Sequence, residues 1–128
     1  MQFVDTNYFL RLLLNDNTLQ HRTAKGLFEE GAQGKVALIT SLIVLFEVYW
    51  VLSSFYKRKK TELIPILGDI LSMEFIIVKE RLLLQEALML FRARSIDLED
   101  AYNIVYAKAY KSKSFATFDK KLSKLFLL

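Results

Sequence analysis

The stretch VALITSLIVLFEVYWVLSSFY, from Val36 to Tyr56, decides how this chain folds. It is almost wholly apolar and carries one carboxylate, Glu47. Its length is near the ~20 residues of a membrane span, and a buried helix of a water-soluble domain has the same composition. Placed on a helix, Glu47 has Ile43, Val44, Trp50 and Val51 three and four residues away, and none is a cation. An unpaired charge in apolar surroundings is costly or takes up a proton. Glu47 therefore needs a partner from another segment, either a lysine or arginine in a structural ion pair or a bound ion. Thr40 and Ser41 interrupt the run, a carboxylate at its centre opposes insertion, and no second long apolar span follows. A water-soluble, cytoplasmic protein is expected.

The remaining composition narrows the chemistry. The 128 residues are enough for one domain with a real core, and a hydrophobic share of 53% argues against disorder. The absence of cysteine excludes disulfides, thiolate metal sites and cysteine nucleophiles. A single histidine, His21, excludes multi-histidine zinc sites and paired-histidine acid–base mechanisms. The net charge of +4 is weak evidence for a polyanionic partner. The opening MQFVDTNYFLRLLL lacks a basic leader and a small-residue cleavage site, so no signal peptide is expected.

In chain order, residues 1–4 read as a short strand ending at Asp5, and residues 7–14 as two helical turns. Asn15-Asp16-Asn17 marks a turn, and Thr18 is expected to cap a helix to about Glu30 that Gly31 and Gly34 end, with Ala24, Leu27 and Phe28 inward. Residues 36–39 read as a strand. Ser41 caps a helix over about 42–56, which stops at Lys57-Arg58-Lys59-Lys60. Thr61 is expected to cap the next helix, with Pro65 in or just after its first turn. Residues 75–78 read as a strand, and 82–94 as an amphipathic helix with Leu83, Ala87, Leu90 and Phe91 on one face. A helix from Asp97 or Leu98 to Tyr110, a strand over 114–117 and a helix over 120–126 complete the chain. Strands alternating with helices imply parallel pairing and an α/β fold in one domain, 1–128.

In parallel sheets the functional crevice lies beyond the carboxyl ends of the strands. Asp5 follows Phe3-Val4 at one such end, and Asp119 follows Phe115-Ala116 at another. Glu47 stands two turns into a helix that follows a strand, and Asp100 in the first turn of a later helix. Asp5 and Asp119 have helix capping as their simple explanation, and Asp97, Glu99 and Asp100 that of an acidic first turn. Glu47 caps nothing. Carboxylates grouped without histidine or cysteine suit a hard divalent cation, Mg²⁺ or Mn²⁺, as one or two ions. The chemistry that fits is phosphodiester hydrolysis by metal-activated water.

Four blocks in order, VDTN at 4–7, LIVLFEVYWVL at 42–52, DLEDAYNIVYA at 97–107 and FATFDKKL at 115–122, resemble the PIN-domain ribonucleases, and among them the VapC-type toxins of toxin–antitoxin pairs. The resemblance covers essentially the whole chain. It implies a PIN-like three-layer sandwich with a short, mostly parallel sheet flanked by helices. It also implies that Asp5, Glu47, Asp100 and Asp119 are the catalytic, metal-binding acids. Thr6 and Asn7 would orient Asp5 or a metal-bound water, Thr117 would support Asp119, and Asp97 would be a cap or an outer group. The implied activity is Mg²⁺-dependent endoribonuclease action on a structured RNA by a homodimer that a small antitoxin protein inhibits. Lys57, Arg58, Lys108, Lys111 and Lys120 could contact RNA phosphates, with an ordinary solvated rim as the alternative. Competing functions are a catalytically silent PIN fold serving as an RNA-binding or scaffold module, a DNA nuclease, and an RNA-processing nuclease outside any toxin pair. Four clustered carboxylates repel one another, so a cation among them is expected.

Overall fold

A computed structural model describes all of residues 1–128. The chain divides into two compact units, Met1–Lys79 and Glu80–Leu128. The first holds β1 (Gln2–Phe3), α1 (Thr6–Leu13), α2 (Thr18–Ala32), β2 (Leu38–Thr40), α3 (Leu42–Trp50), a π-helical turn (Val51–Phe55), α4 (Lys60–Leu71) and β3 (Ile76–Val78). The second holds α5 (Arg81–Ala93), α6 (Leu98–Ala109) and α7 (Lys120–Leu127). The fold is α/β with an all-parallel sheet, as the alternation of patterns predicts.

The sheet belongs to the first unit, and its order is β1-β2-β3. Gln2 and Phe3 pair with Leu38 and Ile39, while Leu38, Ile39 and Thr40 pair with Ile76, Ile77 and Val78. β2 is thus the central strand, and it is apolar because it is covered: Leu38 and Thr40 are buried. Val4, Phe9, Leu45, Val48, Leu52 and Ile76 lie within a few percent of complete burial and form the core of this unit. Burying a side chain of this size contributes about 1.5–3 kcal/mol, which favours the apolar choice at each of these positions.

Local chemistry sets the boundaries. Ser41 caps α3 as expected, its Oγ accepting from the Val44 N–H at 3.2 Å. α3 then widens at Val51 into the π-helical turn, and Lys57 leaves it in the left-handed conformation at φ 56°. The helix expected over 42–56 is therefore two segments. Thr61 does not cap α4. Lys59 occupies that position, and the Glu62 carboxylate accepts from the Lys59 N–H at 3.1 Å, so the acid one turn in closes the helix start. Pro65 consequently lies in the second turn of α4, where its ring supplies no N–H to Thr61. In α5 the buried stripe is Leu84, Ala87, Leu88 and Phe91, with Leu83 and Leu90 half-buried at its flanks.

The strand expected over 114–117 does not form; residues 114–117 are irregular. Side-chain packing holds the segment instead of a ladder. Phe115 packs against the cluster of Ile104, Leu122 and Leu125, and its ring lies 5.3 Å from that of Phe126.

Gly31 and Gly34 play different parts. Gly34 follows the α2 cap residue Gln33 at φ 78°, and the Gly34 and Lys35 N–H groups donate to Gly31 and Glu30, closing the helix end. Gly31 is still helical and buried, and a Cβ there would stand 2.6 Å from Leu38 Cδ1 and 3.2 Å from Phe75 Cδ2. It sets how closely α2 lies on β2. Gly31→Ala is expected to cost about 1–3 kcal/mol by forcing these side chains apart, against a helix-propensity gain of at most about 1 kcal/mol. A lowered denaturant midpoint with an unchanged m-value would register that cost.

Candidate active site

In the first unit the end of β1 is clamped from its neighbour. The Val4 N–H donates to the Ile39 carbonyl at 2.8 Å, and the buried Thr40 hydroxyl donates to the Val4 carbonyl at 2.8 Å. Asp5 is the next residue. It is exposed, caps α1, and accepts from the Thr6 N–H through Oδ1 at 2.8 Å. Thr6 is buried, and its hydroxyl donates to Glu47 Oε1. One residue thus links the two acids, its N–H to Asp5 and its hydroxyl to Glu47. Asn7 does not share that bond pattern; it borders a cleft between α1 and α2 with Tyr8, Arg11, Leu19, Gln20 and Thr23.

Glu47 departs from the sequence reading in one respect. It is not buried, because the face of α3 that carries it is open: Ile43 is 80% and Trp50 59% exposed. The apolar run contains one inward face, with Val44, Leu45, Val48 and Tyr49, and one outward face that is also apolar. Composition alone does not separate these faces. Within the first unit no lysine or arginine pairs with Glu47.

In the second unit Asp97 caps α6, its Oδ1 accepting from the Asp100 N–H at 2.8 Å. Asp119 caps α7, its Oδ1 accepting from the Lys121 and Leu122 N–H groups at 2.9 and 3.1 Å. Thr117 Oγ1 accepts from the Asp119 N–H at 3.0 Å, so the hydroxyl two residues ahead fixes the turn that aims this acid. This turn replaces the expected strand end as the device that positions Asp119. Asp100 caps nothing. Partial burial, the charge and hydrogen bond of Asp97, and the charge of Asp119 hold its carboxyl above the usual aspartate range. Partial burial and the neighbouring Asp97 and Asp100 likewise raise Glu99.

Helix capping is the simple explanation for Asp5 and Asp119, both caps are present, and Asp97 caps α6 as well. Each uses Oδ1 alone. A carboxylate has a second oxygen for another partner, so capping and cation binding are compatible. The donors are carboxylates and hydroxyls, the oxygen set that hard cations prefer. The charge crowding that raises Asp100 is the kind a cation relieves. In kind, the residues fit a divalent ion, although no three Asp, Glu or His side chains converge closely enough to encase one.

The cationic candidates are all surface residues. Arg58, just ahead of α4, pairs with Glu62 in its first turn at 3.4 Å, and Lys108 stands 6.0 Å over the Phe126 ring. Lys57, Lys111 and Lys120 are exposed, the first two with positive φ. No helix is long and apolar enough to cross a membrane.

Raised carboxyl values mean that the folded unit binds protons more tightly than the unfolded chain there. The stabilisation they represent is present below the ordinary carboxylate range and is lost as pH rises through the raised values. With a chelator present, Asp100→Asn is therefore expected to melt above the wild type near pH ~7, the gap closing as the pH falls below ~4. Thermal melts across that range check the sign.

Among families, the model described as PIN domain matches residues 3–126, a span that includes Asp5, Glu47, Asp100 and Asp119. A search of the curated proteins and a search of the solved structures each found no match.

Proposed function

The chain belongs to the PIN-domain family, whose members are generally nucleases that use divalent metal ions, and from that premise we propose that it is a Mg²⁺-dependent endoribonuclease. The observation that carries this reading is the family match across nearly the whole chain, including all four acids. We assign Asp5, Glu47, Asp100 and Asp119 to holding one or two Mg²⁺ or Mn²⁺ ions within a single domain. A bound ion would supply Lewis acidity and lower the pKa of a water so that it attacks phosphorus near neutral pH.

The remaining steps belong to the chain. Thr6 holds Glu47 by Oε1, which leaves Oε2 as the oxygen to offer a cation. Asp5, Asp97 and Asp119 are held by their caps through Oδ1, so their rotamers are fixed before a ligand arrives. Thr117 fixes the approach of Asp119. Asp97 acts on Asp100 and is a supporting residue rather than a ligand. Lys57, Lys111 and Lys120 would receive substrate phosphates, with Lys108 and Arg58 as weaker contributors because each already has an intramolecular partner.

Within this reading the protein is the cytoplasmic toxin of a type II toxin–antitoxin pair, a homodimer restrained by a small antitoxin protein. The VapC-like blocks support that role. Growth arrest on expression, relieved by co-expressing the neighbouring reading frame, is its expected signature. Growth unaffected by expression of an active nuclease favours an RNA-processing role.

Three substitutions test the chemistry. Asp5→Asn and Asp100→Asn are each expected to lower Mg²⁺-dependent RNA cleavage by about 100-fold or more while the helical circular dichroism is retained. Thr6→Val, which frees Glu47 without removing a ligand, is expected to lose about 10-fold, and Thr6→Ser to recover most of it. A folded Asp100→Asn protein cleaving RNA at the wild-type rate would contradict the assignment.

A further inference from the structure

α6 carries tyrosines at 102 and 106, and its C-cap residue is Tyr110; the three are four residues apart, so successive rings lie nearly one above the next. The ring centroids of Tyr102 and Tyr106 are 5.8 Å apart, and those of Tyr106 and Tyr110 are 4.5 Å apart at an interplanar angle of 29°, a stacked pair. One carboxylate holds both ends of this ladder. Tyr102 donates its hydroxyl proton to Glu80 Oε2 at 3.1 Å, and Tyr110 donates to Glu80 Oε1 at 2.9 Å. Glu80 takes the left-handed conformation at φ 63°, a strained choice for a residue with a Cβ.

A ladder meant for the core would be covered. This one is not: Tyr106 is 40% and Tyr110 59% exposed. Tyr110 is the terminal ring, stacked by Tyr106 on one side. Lys111 and Lys113 follow it directly, both exposed and without ion pairs, and Lys108 lies on the preceding turn. Flat, exposed rings interleaved with cations are the two parts of a surface for single-stranded nucleic acid, bases on the rings and phosphates on the ammonium groups. Glu80 keeps its negative charge while it accepts from both tyrosine hydroxyls, but Lys108, Lys111 and Lys113 outnumber it along this stretch.

We propose that Tyr106 and Tyr110 form a stacking platform for an unpaired base of a single-stranded RNA, which continues the ladder beyond Tyr110 while Lys111 and Lys113 take its phosphates. The proposal rests on the nuclease reading and deepens it. The ladder is borne on the same helix whose first turn holds Asp100, and Tyr110 stands ten residues further along, about 15 Å at 1.5 Å per residue. The platform would therefore grip the strand several nucleotides from that acid and select unpaired over duplex RNA, since a paired base presents no free face.

The test is binding of a labelled single-stranded RNA of about 12 nucleotides, followed by fluorescence anisotropy on the full chain with a chelator present to prevent cleavage. Tyr106→Leu combined with Tyr110→Leu is expected to weaken binding about 10-fold or more. Tyr110→Trp, which keeps a stacking face, and Tyr110→Phe, which drops only the hydrogen bond to Glu80, are expected to stay near wild type. A merely structural ladder would instead show lowered melting temperatures with unchanged affinity, and would overturn the proposal. So would a wild-type chain that binds duplex RNA as tightly as single strands, or a folded Tyr110→Leu single variant with undiminished affinity. Cleavage by the wild type with Mg²⁺ is a separate assay. Its failure tells against the nuclease reading, whereas an unchanged affinity in the leucine variants tells against the platform.

Discussion

The hydrogen bond from the Thr6 hydroxyl to Glu47 ties the first strand to the helix that follows the second, and the geometry around it depends on parallel pairing. β1 and β2 run side by side in the same direction, so their carboxyl ends coincide. Asp5 leaves one end and Ser41 caps the helix leaving the other. Glu47 lies six residues beyond that cap, about 9 Å along the axis, which brings it level with the start of α1. Thr40 reinforces the arrangement from inside by donating to the Val4 carbonyl. Antiparallel pairing would place the ends of the two strands apart and separate these two acids.

In the second unit an apolar cluster of Ile104, Leu122 and Leu125 forms the core, and the acids gather at helix starts. Two helix starts, those of α6 and α7, each carry a capping aspartate, and the helix dipoles favour negative charge at both. Asp100 is the acid that the local backbone does not use. Partial burial and then the neighbouring charges of Asp97 and Asp119 make its ionised form less favourable. Perturbed carboxyls of this kind are common where charges are gathered for chemistry, and they also arise in structural charge clusters. In the first unit Glu47 is exposed on an apolar helix face and accepts from the Thr6 hydroxyl.

Much of this was legible in the sequence because it follows from short-range rules. Ser41, Asp97 and Asp119 cap where residue type and spacing place them, and the three apolar runs that pair as strands are short and β-branched in part. What failed needed tertiary information. Residues 114–117 have strand-like composition, but Phe115 is satisfied by packing on Ile104 and Leu122, so no ladder forms. The sequence makes Glu47 look buried because periodicity cannot reveal an outward face when both faces of α3 are apolar. Gly31 was read as a helix end because its closeness to Leu38 is a contact between distant parts of the chain. The tyrosine ladder had a visible signal in its spacing of four, but only the shared partner Glu80 and the exposure of the rings distinguish it from a core stripe.

We propose that Asp5 and Asp100 are both metal-binding acids. Calorimetric titration with Mn²⁺ of the wild type and of the Asp5→Asn and Asp100→Asn variants tests this without reference to cleavage. Binding to the wild type that each substitution separately weakens by about 10-fold or more is the predicted result. Undiminished Mn²⁺ affinity in either folded variant would contradict it.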